Sequence, residues 1–99
     1  LKLKVDSISS DSDSAMYIGL LVTELIINSV KYSFEENQEK NINLTIQNIE
    51  NILLFTFEDN GQKAIGKTIT PKLALQLCLQ LGVDPKIDTN KGFKLNFKK

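Results

Sequence analysis

The segment from residue 14 to residue 34 constrains most strongly how this chain can fold. It contains no proline and a single glycine, so we predict one long α-helix. At about 100° per residue, its apolar side chains spread around most of the helix circumference, and a helix of that kind is buried on several sides. The apolar positions are Ile18, Val22, Leu25, Ile26, Ile27, Val30 and Tyr32. The rest of the chain must therefore build a core around this helix.

The remaining segments predict the elements that form this core. Apolar and polar residues alternate at 1–6, 42–47 and 93–98, which favours strands with one wet face. Residues 52–59 are apolar in both phases until their end, as in a more central strand, and residues 48–51 suit a hairpin turn. A second helix is predicted from about 72 to 82, and a short strand near 86–88. This order predicts an α+β fold, a two-layer sandwich whose mixed, mostly antiparallel sheet carries the helices on one face.

Composition limits the kinds of partner that we expect. Twelve basic and twelve acidic residues cancel, so the chain has no charge excess for nucleic acid or anionic lipid. We expect one domain covering residues 1–99, excised from a longer protein because the chain starts inside a strand without methionine. The longest apolar run is too short for a membrane span and no signal peptide is present. We therefore expect a cytoplasmic domain without membrane contact, in a parent protein that can still be membrane-anchored.

The absence of histidine and the single cysteine exclude several kinds of site. No Ser-His-Asp or Cys-His nucleophile system can form, and zinc sites lose their usual ligands. A metal bound by these residues must be a hard cation held by oxygen atoms.

A polar stripe interrupts the apolar surface of the predicted long helix. Glu24, Asn28 and Lys31 follow one another at spacings of four and three residues, so their side chains are neighbours on a regular helix. The stripe can be a solvated face with a weak Glu–Lys pairing. It can also be a cation and phosphate site, because an amide oxygen suits Mg²⁺ and a lysine attracts phosphate oxygens.

An acidic residue ends the most apolar strand. Asp59 continues the alternate row of Leu53, Phe55 and Phe57, so its carboxylate points into the layer between sheet and helices. Gly61 follows two positions later and allows a tight turn or a close approach to a flat ligand. One interpretation is a strand end that Asp59 caps. The other is a carboxylate that accepts a hydrogen bond from the amino group of adenine, which guanine lacks at that place.

The two features occur in sequence order, separated by one hairpin, and together they resemble a known family. Residues 18–34, IGLLVTELIINSVKYSF, are similar to the N box of the ATPase domains shared by gyrase, histidine kinases and MutL. They are most similar to the histidine kinase branch, whose box reads Glu-Leu-x-x-Asn-Ala-x-Lys-His-Ala-Phe. Residues 57–61, FEDNG, resemble the first glycine box, Asp-x-Gly. The resemblance covers nearly the whole chain.

This resemblance implies the Bergerat fold and the ATP-binding catalytic domain of a bacterial two-component sensor histidine kinase. Such a transferase uses ATP and Mg²⁺ and phosphorylates a histidine on an upstream dimerisation domain, which passes the phosphoryl group to a response regulator. By the same resemblance, Asn28 holds Mg²⁺ and Glu24 lies beside the γ-phosphate. Lys31 contacts phosphate, with Tyr32 beside it.

At the other end of the implied nucleotide site, Asp59 binds the adenine amino group and Gly61 makes room for the ring. The implied catalytic residues are Glu24 and Lys31. We therefore expect the amide and ammonium groups of the first helix and the Asp59 carboxylate to line opposite ends of one cleft.

The sequence departs from the family pattern around the phosphates. Lys63 stands where the second glycine of Asp-x-Gly-x-Gly is usual, the lid segment is only residues 62–69, and Thr70-Pro71 replaces the second glycine box. Two alternatives therefore stay open. One is a degenerate domain that binds little or no ATP and acts as an interaction or dimerisation module. The other is an anti-sigma-factor-type serine kinase on the same fold.

Overall fold

The computed structural model describes residues 1–6 and 12–99. Its helices are α1 (Ser12–Asn28), continued by a π-helical segment (Ser29–Ser33), and α2 (Lys72–Leu81). Its strands are β1 (Lys2–Val5), β2 (Ile42–Ile49), β3 (Ile52–Asp59), β4 (Lys86–Asp88) and β5 (Lys94–Lys98). The predicted order of strands and helices is confirmed.

The strands form one sheet in the order β1-β2-β3-β5-β4. Strand β1 runs parallel to β2, and the other neighbouring pairs are antiparallel. The β2–β3 hairpin turns at Glu50 and Asn51, which both have positive φ, as the right-handed twist of a two-residue hairpin requires. The prediction of a mixed, mostly antiparallel sheet is confirmed.

The core lies between the helices and one face of the sheet. Ile18, Leu21 and Leu25 of α1 are almost fully buried there. Phe55 of β3 stacks on Phe97 of β5, with ring centroids 4.7 Å apart. The core-facing strand residues are Ile42, Leu44, Ile46, Leu53, Phe55, Phe57, Leu95 and Phe97. The two-layer α+β sandwich is therefore confirmed, and α2 packs beside α1 in the helical layer.

Strand β1 is more exposed than its sequence pattern predicts. Leu3 pairs with Leu44 and Val5 with Ile46, so both side chains point toward the helical layer. They are nevertheless 58% and 53% exposed. The prediction of a half-buried strand is wrong because β1 lies at the edge of the sheet, where the described helices do not cover it.

The long helix also corrects an expectation about membrane spans. Residues Asp13–Ser33 form a helix that is long and apolar enough to cross a bilayer by length and composition. The expectation was based on the longest uninterrupted apolar run. Glu24 and Lys31 interrupt this segment, so it was not recognised as long and apolar enough. The core helix of a soluble domain meets the same criteria, and here one side of α1 is buried against the sheet.

Candidate functional site

A cavity of about 550 Å³ opens between α1, the π-helical segment, the loop before α2 and the first turn of α2. Most of its wall is apolar or aromatic. Among its lining residues Glu24 is the only acid, whereas three are lysines. The lining residues are Glu24, Leu25, Asn28, Ser29, Tyr32, Ser33, Lys63, Ala64, Lys67, Ile69, Thr70, Pro71, Lys72, Leu73 and Phe93. Such a wall suits a ligand with a flat or apolar part and a negatively charged part.

Two of the predicted site residues form a hydrogen-bonded pair in this wall. The Asn28 Nδ2 donates to Glu24 Oε1 over 3.1 Å, one helical turn apart, and both side chains are half-buried. Because the amide NH₂ is engaged in this way, the Oδ1 oxygen of Asn28 keeps its acceptor capacity. An oriented amide oxygen beside a carboxylate is an arrangement that can ligate a hard cation.

The π-helical segment decides which neighbours of Asn28 reach the cavity. A π-helix closes i→i+5 hydrogen bonds and so turns more widely than an α-helix. Tyr32, four positions after Asn28, lines the cavity. Lys31 does not line it, and its side chain is exposed. The predicted stripe of Glu24, Asn28 and Lys31 assumed a regular α-helix. Because the helix turns more widely after Asn28, Tyr32 lies in the cavity wall with Glu24 and Asn28, and Lys31 does not.

Asp59 is buried, only 7% exposed, and its carboxylate is held by internal donors. The backbone N–H groups of Gly61 and Phe93 each donate to Oδ1 over 2.9 Å. The hydroxyl of Ser29 donates to Oδ2 over 2.6 Å. The carboxylate thus joins the end of β3, the start of β5 and the π-helical segment.

The single cleft expected from the sequence is not formed in this structure. Asp59 does not line the large cavity but a second one of about 290 Å³, beside Gly92 and Phe93. Its hydrogen-bond partners Ser29 and Phe93 both line the large cavity, so the carboxylate is linked to the wall of that cavity through these two residues. The bond to the Gly61 N–H also makes Asp59 a cap of the turn, the alternative that the sequence left open.

Gly61 is buried and lies against the π-helical segment. A Cβ atom at this position would overlap the side chain and backbone of Ser33, with the Ser33 carbonyl carbon only 2.7 Å away. The N–H of Lys63 donates to the same Ser33 carbonyl oxygen over 2.9 Å. The space that the resemblance assigned to a ligand ring is filled here by Ser33, and ring binding by Gly61 stays a prediction.

Three lysines, two in the loop between β3 and α2 and one in the first turn of α2, were missed as site residues by the sequence reasoning. Lys63, Lys67 and Lys72 line the cavity, and their ammonium groups have no hydrogen-bond or ion-pair partner among residues 1–6 and 12–99. The loop is fixed in place, since the Gly66 N–H donates to the Thr89 carbonyl over 3.0 Å. The Thr89 hydroxyl donates to the Lys67 carbonyl over 2.9 Å. No periodicity connects loop residues to a helix face, so no sequence signal could have placed Lys63 and Lys67 at this cavity.

Ser29 was also missed, although it carried a weak signal. It is a small polar residue within the most apolar helical segment, and it is 2% exposed. A buried hydroxyl needs a partner, so its position already indicated a polar contact in the core. Only the fold identifies Asp59, thirty residues away, as that partner.

Several solved structures share this architecture, including two of a histidine kinase. One is the histidine kinase domain of the blue-light activated histidine kinase EL346 from Erythrobacter litoralis, with a TM-score of 0.81 and 21% identity over 98% of this chain. The other is that blue-light activated histidine kinase itself, with a TM-score of 0.84 and 21% identity over the same share. This chain spans 52% of the first structure and 33% of the second. No protein-family model matches the sequence, and no curated protein matches it.

Proposed function

We propose that this chain is the ATP-binding catalytic domain of a bacterial sensor histidine kinase and binds Mg-ATP in the large cavity beside α1. The observation that carries the proposal is the Asn28–Glu24 pair in the wall of a cavity whose other charged residues are lysines. Similarity of fold to the Erythrobacter litoralis histidine kinase domain supports the same proposal. In the proposed function, the domain phosphorylates a histidine on an upstream domain, and a response regulator receives the phosphoryl group.

The proposed metal ligand is the Oδ1 oxygen of Asn28. Mg²⁺ prefers oxygen ligands and keeps several waters beside phosphate groups, so one protein oxygen and the ligand's phosphates suffice. Glu24 holds the amide in the orientation that presents this oxygen. Its second carboxylate oxygen can orient a hydroxyl or a water at the γ-phosphate.

Charge in the cavity supports a polyphosphate rather than a neutral ligand. Lys63, Lys67 and Lys72 outnumber the single lining carboxylate of Glu24, and they lack partners among the described residues. Phosphoryl transfer depends mostly on positioning and on stabilising the charge of the transferred group. We propose that these lysines provide that charge, and that Lys31 contributes from outside the wall.

Asp59 is the proposed reader of the adenine amino group. A carboxylate has about four acceptor sites, and the described donors use three of them. The remaining site is on Oδ2, next to the Ser29 hydroxyl. Adenine bound in the large cavity would reach this acceptor site only if the Ser29 side chain rotates out of its present position.

The three internal hydrogen bonds of this carboxylate favour one alternative, a degenerate domain that keeps the fold without the nucleotide. In that case Asp59 is a structural residue and the cavity binds nothing, or binds another anion. The proposal also includes a cytoplasmic location, as for a domain that takes its phosphoryl group from ATP.

Calorimetric titration of the chain with Mg-ATP, Mg-ADP and Mg-GTP tests the proposed function. We expect saturable binding of both adenine nucleotides, weaker binding of Mg-GTP, and an affinity for Mg-ATP about tenfold or more lower in Asn28→Ala. Asn96→Ala, on the face of β5 away from the helices, is the matched control and should bind as the unaltered chain does. Titrations that show no heat of binding for Mg-ATP or Mg-ADP would contradict the proposal and would favour the degenerate domain.

Removing the lysines separates phosphate binding from base binding. We expect the combined change of Lys63, Lys67 and Lys72 to glutamine to lower the affinity for Mg-ATP at least tenfold, because each removes a charge near phosphate. The affinity for adenosine should stay within about twofold. Titration of Lys31→Gln under the same conditions tests the contact between Lys31 and phosphate that the resemblance implied. Equal losses for ATP and adenosine would show that the lysines do not hold the phosphates.

A further inference from the structure

The side of α1 that faces away from the sheet carries no charged residue along most of its length. A surface helix normally has polar and charged side chains on this face. Ile18, Leu21 and Leu25 occupy the buried side, so residues about half a turn away from them face solvent. We call these residues the outer stripe; they are Met16, Gly19, Leu20, Thr23, Ile27 and Val30.

The large apolar residues of the outer stripe are well exposed and regularly spaced. Met16 is 53% exposed, Leu20 50%, Ile27 40% and Val30 64%. With Thr23 between them, the positions alternate at spacings of four and three residues, the repeat of a seam between two packed helices. Single exposed apolar residues are ordinary, but a continuous row of them marks an interaction surface.

The centre of the outer stripe is prepared for burial. Gly19 and Thr23 are small, so another helix can approach closely there. The Thr23 hydroxyl already donates to the Gly19 carbonyl oxygen over 3.0 Å. Covering this position therefore leaves no hydroxyl without a partner, and the desolvation cost is low.

We propose that a second copy of this chain covers the outer stripe, with the two α1 helices antiparallel and related by a two-fold axis near Thr23. The stripe is self-complementary about that residue, since Met16 precedes it by seven positions and Val30 follows it by seven. In the pair, Met16 meets the partner's Val30, and Leu20 meets the partner's Ile27. An isologous interface requires this symmetry of one patch with itself.

The charges at the ends of the stripe determine the antiparallel direction. Asp13 and Lys31 are both exposed and lie at opposite ends of the helix, Asp13 in the first turn of α1 and Lys31 in the last turn of the π-helical segment. In an antiparallel pair the two ends lie side by side, so Asp13 of each copy approaches the partner's Lys31. A parallel pair would bring equal ends together and would separate these opposite charges.

Sedimentation equilibrium of the chain, from micromolar to millimolar protein, tests the second copy. We expect a species of twice the monomer mass of 11.1 kDa. Ile27→Asp should make it monomeric, because the dimer would bury an unpaired charge. Leu79→Asp is the matched control, since Leu79 is 76% exposed on α2 outside the stripe, and it should stay dimeric. A monomeric chain at every concentration, or a dimer that Ile27→Asp leaves intact, would overturn the proposal.

Charge reversal tests the direction without touching the apolar residues. Asp13→Lys and Lys31→Asp should each raise the dissociation constant of the dimer roughly threefold to tenfold. The double variant restores opposite charges and should return the constant to that of the unaltered chain. A double variant that dissociates more readily than either single variant would exclude the antiparallel pair.

Disulfide trapping gives an independent readout. Thr23→Cys should form a covalent dimer on mild oxidation, because two copies of this position meet at the axis. Met16→Cys should not, since antiparallel helices place the two cysteines about 20 Å apart along the axis. Cys78 does not compete, because burial removes it from the surface and raises the pKa of its thiol to about 11. Efficient trapping through Met16→Cys would show a parallel pair and refute the arrangement.

Discussion

Replacing Asp59 with alanine is expected to lower the free energy of unfolding by about 3–5 kcal/mol, because three donors lose their acceptor. The N–H groups of Gly61 and Phe93 and the Ser29 hydroxyl all bond to this carboxylate in the core. A buried donor left without a partner costs about 1–3 kcal/mol. For a domain of this size, such a loss should lower the melting temperature by about 15–30 °C.

Urea and thermal unfolding followed by circular dichroism measure this loss. The matched control is Asp88→Ala. Asp88 also accepts the N–H of a residue two positions on, Asn90, over 2.7 Å, but this bond is exposed to water. We expect the control to lose less than about 1 kcal/mol. Similar melting temperatures for the two variants would show that the Asp59 carboxylate does not hold the three segments together.

Asp59→Asn separates the structural role of this residue from base recognition. Asparagine keeps one oxygen for the Gly61 and Phe93 N–H groups, and the Ser29 hydroxyl can rotate to accept from the new amide. We expect a loss of stability well below that of Asp59→Ala. If Asp59 reads adenine, the same variant should lose the stabilisation by Mg-ADP seen in a thermal shift assay. An unchanged shift would assign Asp59 a structural role alone.

Adding one methyl group at Gly61 or at Gly92 is expected to destabilise the domain by about 2–5 kcal/mol. A Cβ atom at Gly61 would overlap Ser33, and one at Gly92 would overlap the Asp59 carbonyl oxygen. Gly92 also has φ of 137°, a conformation that is strained for alanine. Overpacking costs typically 1–3 kcal/mol and backbone strain of this kind adds about as much.

Gly19→Ala is the matched control for both glycine variants. No atom lies within 4 Å of a Cβ built at Gly19, which is within α1. Alanine favours a helix by up to about 1 kcal/mol relative to glycine, so this variant should be as stable as the unaltered chain or more so. Urea unfolding in the Ile27→Asp background, where the proposed dimer does not form, compares the three variants. If Gly61→Ala and Gly92→Ala unfold at the same urea concentration as Gly19→Ala, the close contacts at the ends of β3 and β5 are absent in solution.

The strands could be predicted because the alternation of apolar and polar residues within each strand indicates which side chains face the core. Along β2, Ile42, Leu44 and Ile46 are buried and the residues between them are partly exposed, as the period of two requires. Strand β1 shows the same alternation but not the same burial. Whether a helix covers a given strand depends on the placement of other segments, which an alternating pattern does not encode.

Prediction of neighbouring side chains succeeded for Glu24 and Asn28, which regular helical geometry brings together, while their role in a nucleotide site stays a prediction. It failed to group Lys31 with them because the helix widens after Asn28. That widening accompanies contacts made from elsewhere in the chain. Ser29 bonds to Asp59, and Ser33 lies against Gly61. Since these partners lie about thirty positions away, helical periodicity could not indicate the π-helical segment.

The sequence by itself determined the order of strands and helices and the two layers, because hydrophobic periodicity is a local property of each segment. It did not determine which apolar residues are buried, since Leu3, Val5 and Val30 are exposed. The tertiary structure alone decided what surrounds each polar group. It brought the lysines of the loop and of the first turn of α2 to the cavity, and it gave the Asp59 carboxylate donors from two other segments. It also left that carboxylate outside the lining of the cavity, to which Ser29 and Phe93 belong. Such contacts join residues that are distant in the chain, so they arise only when the sheet and the helices have packed.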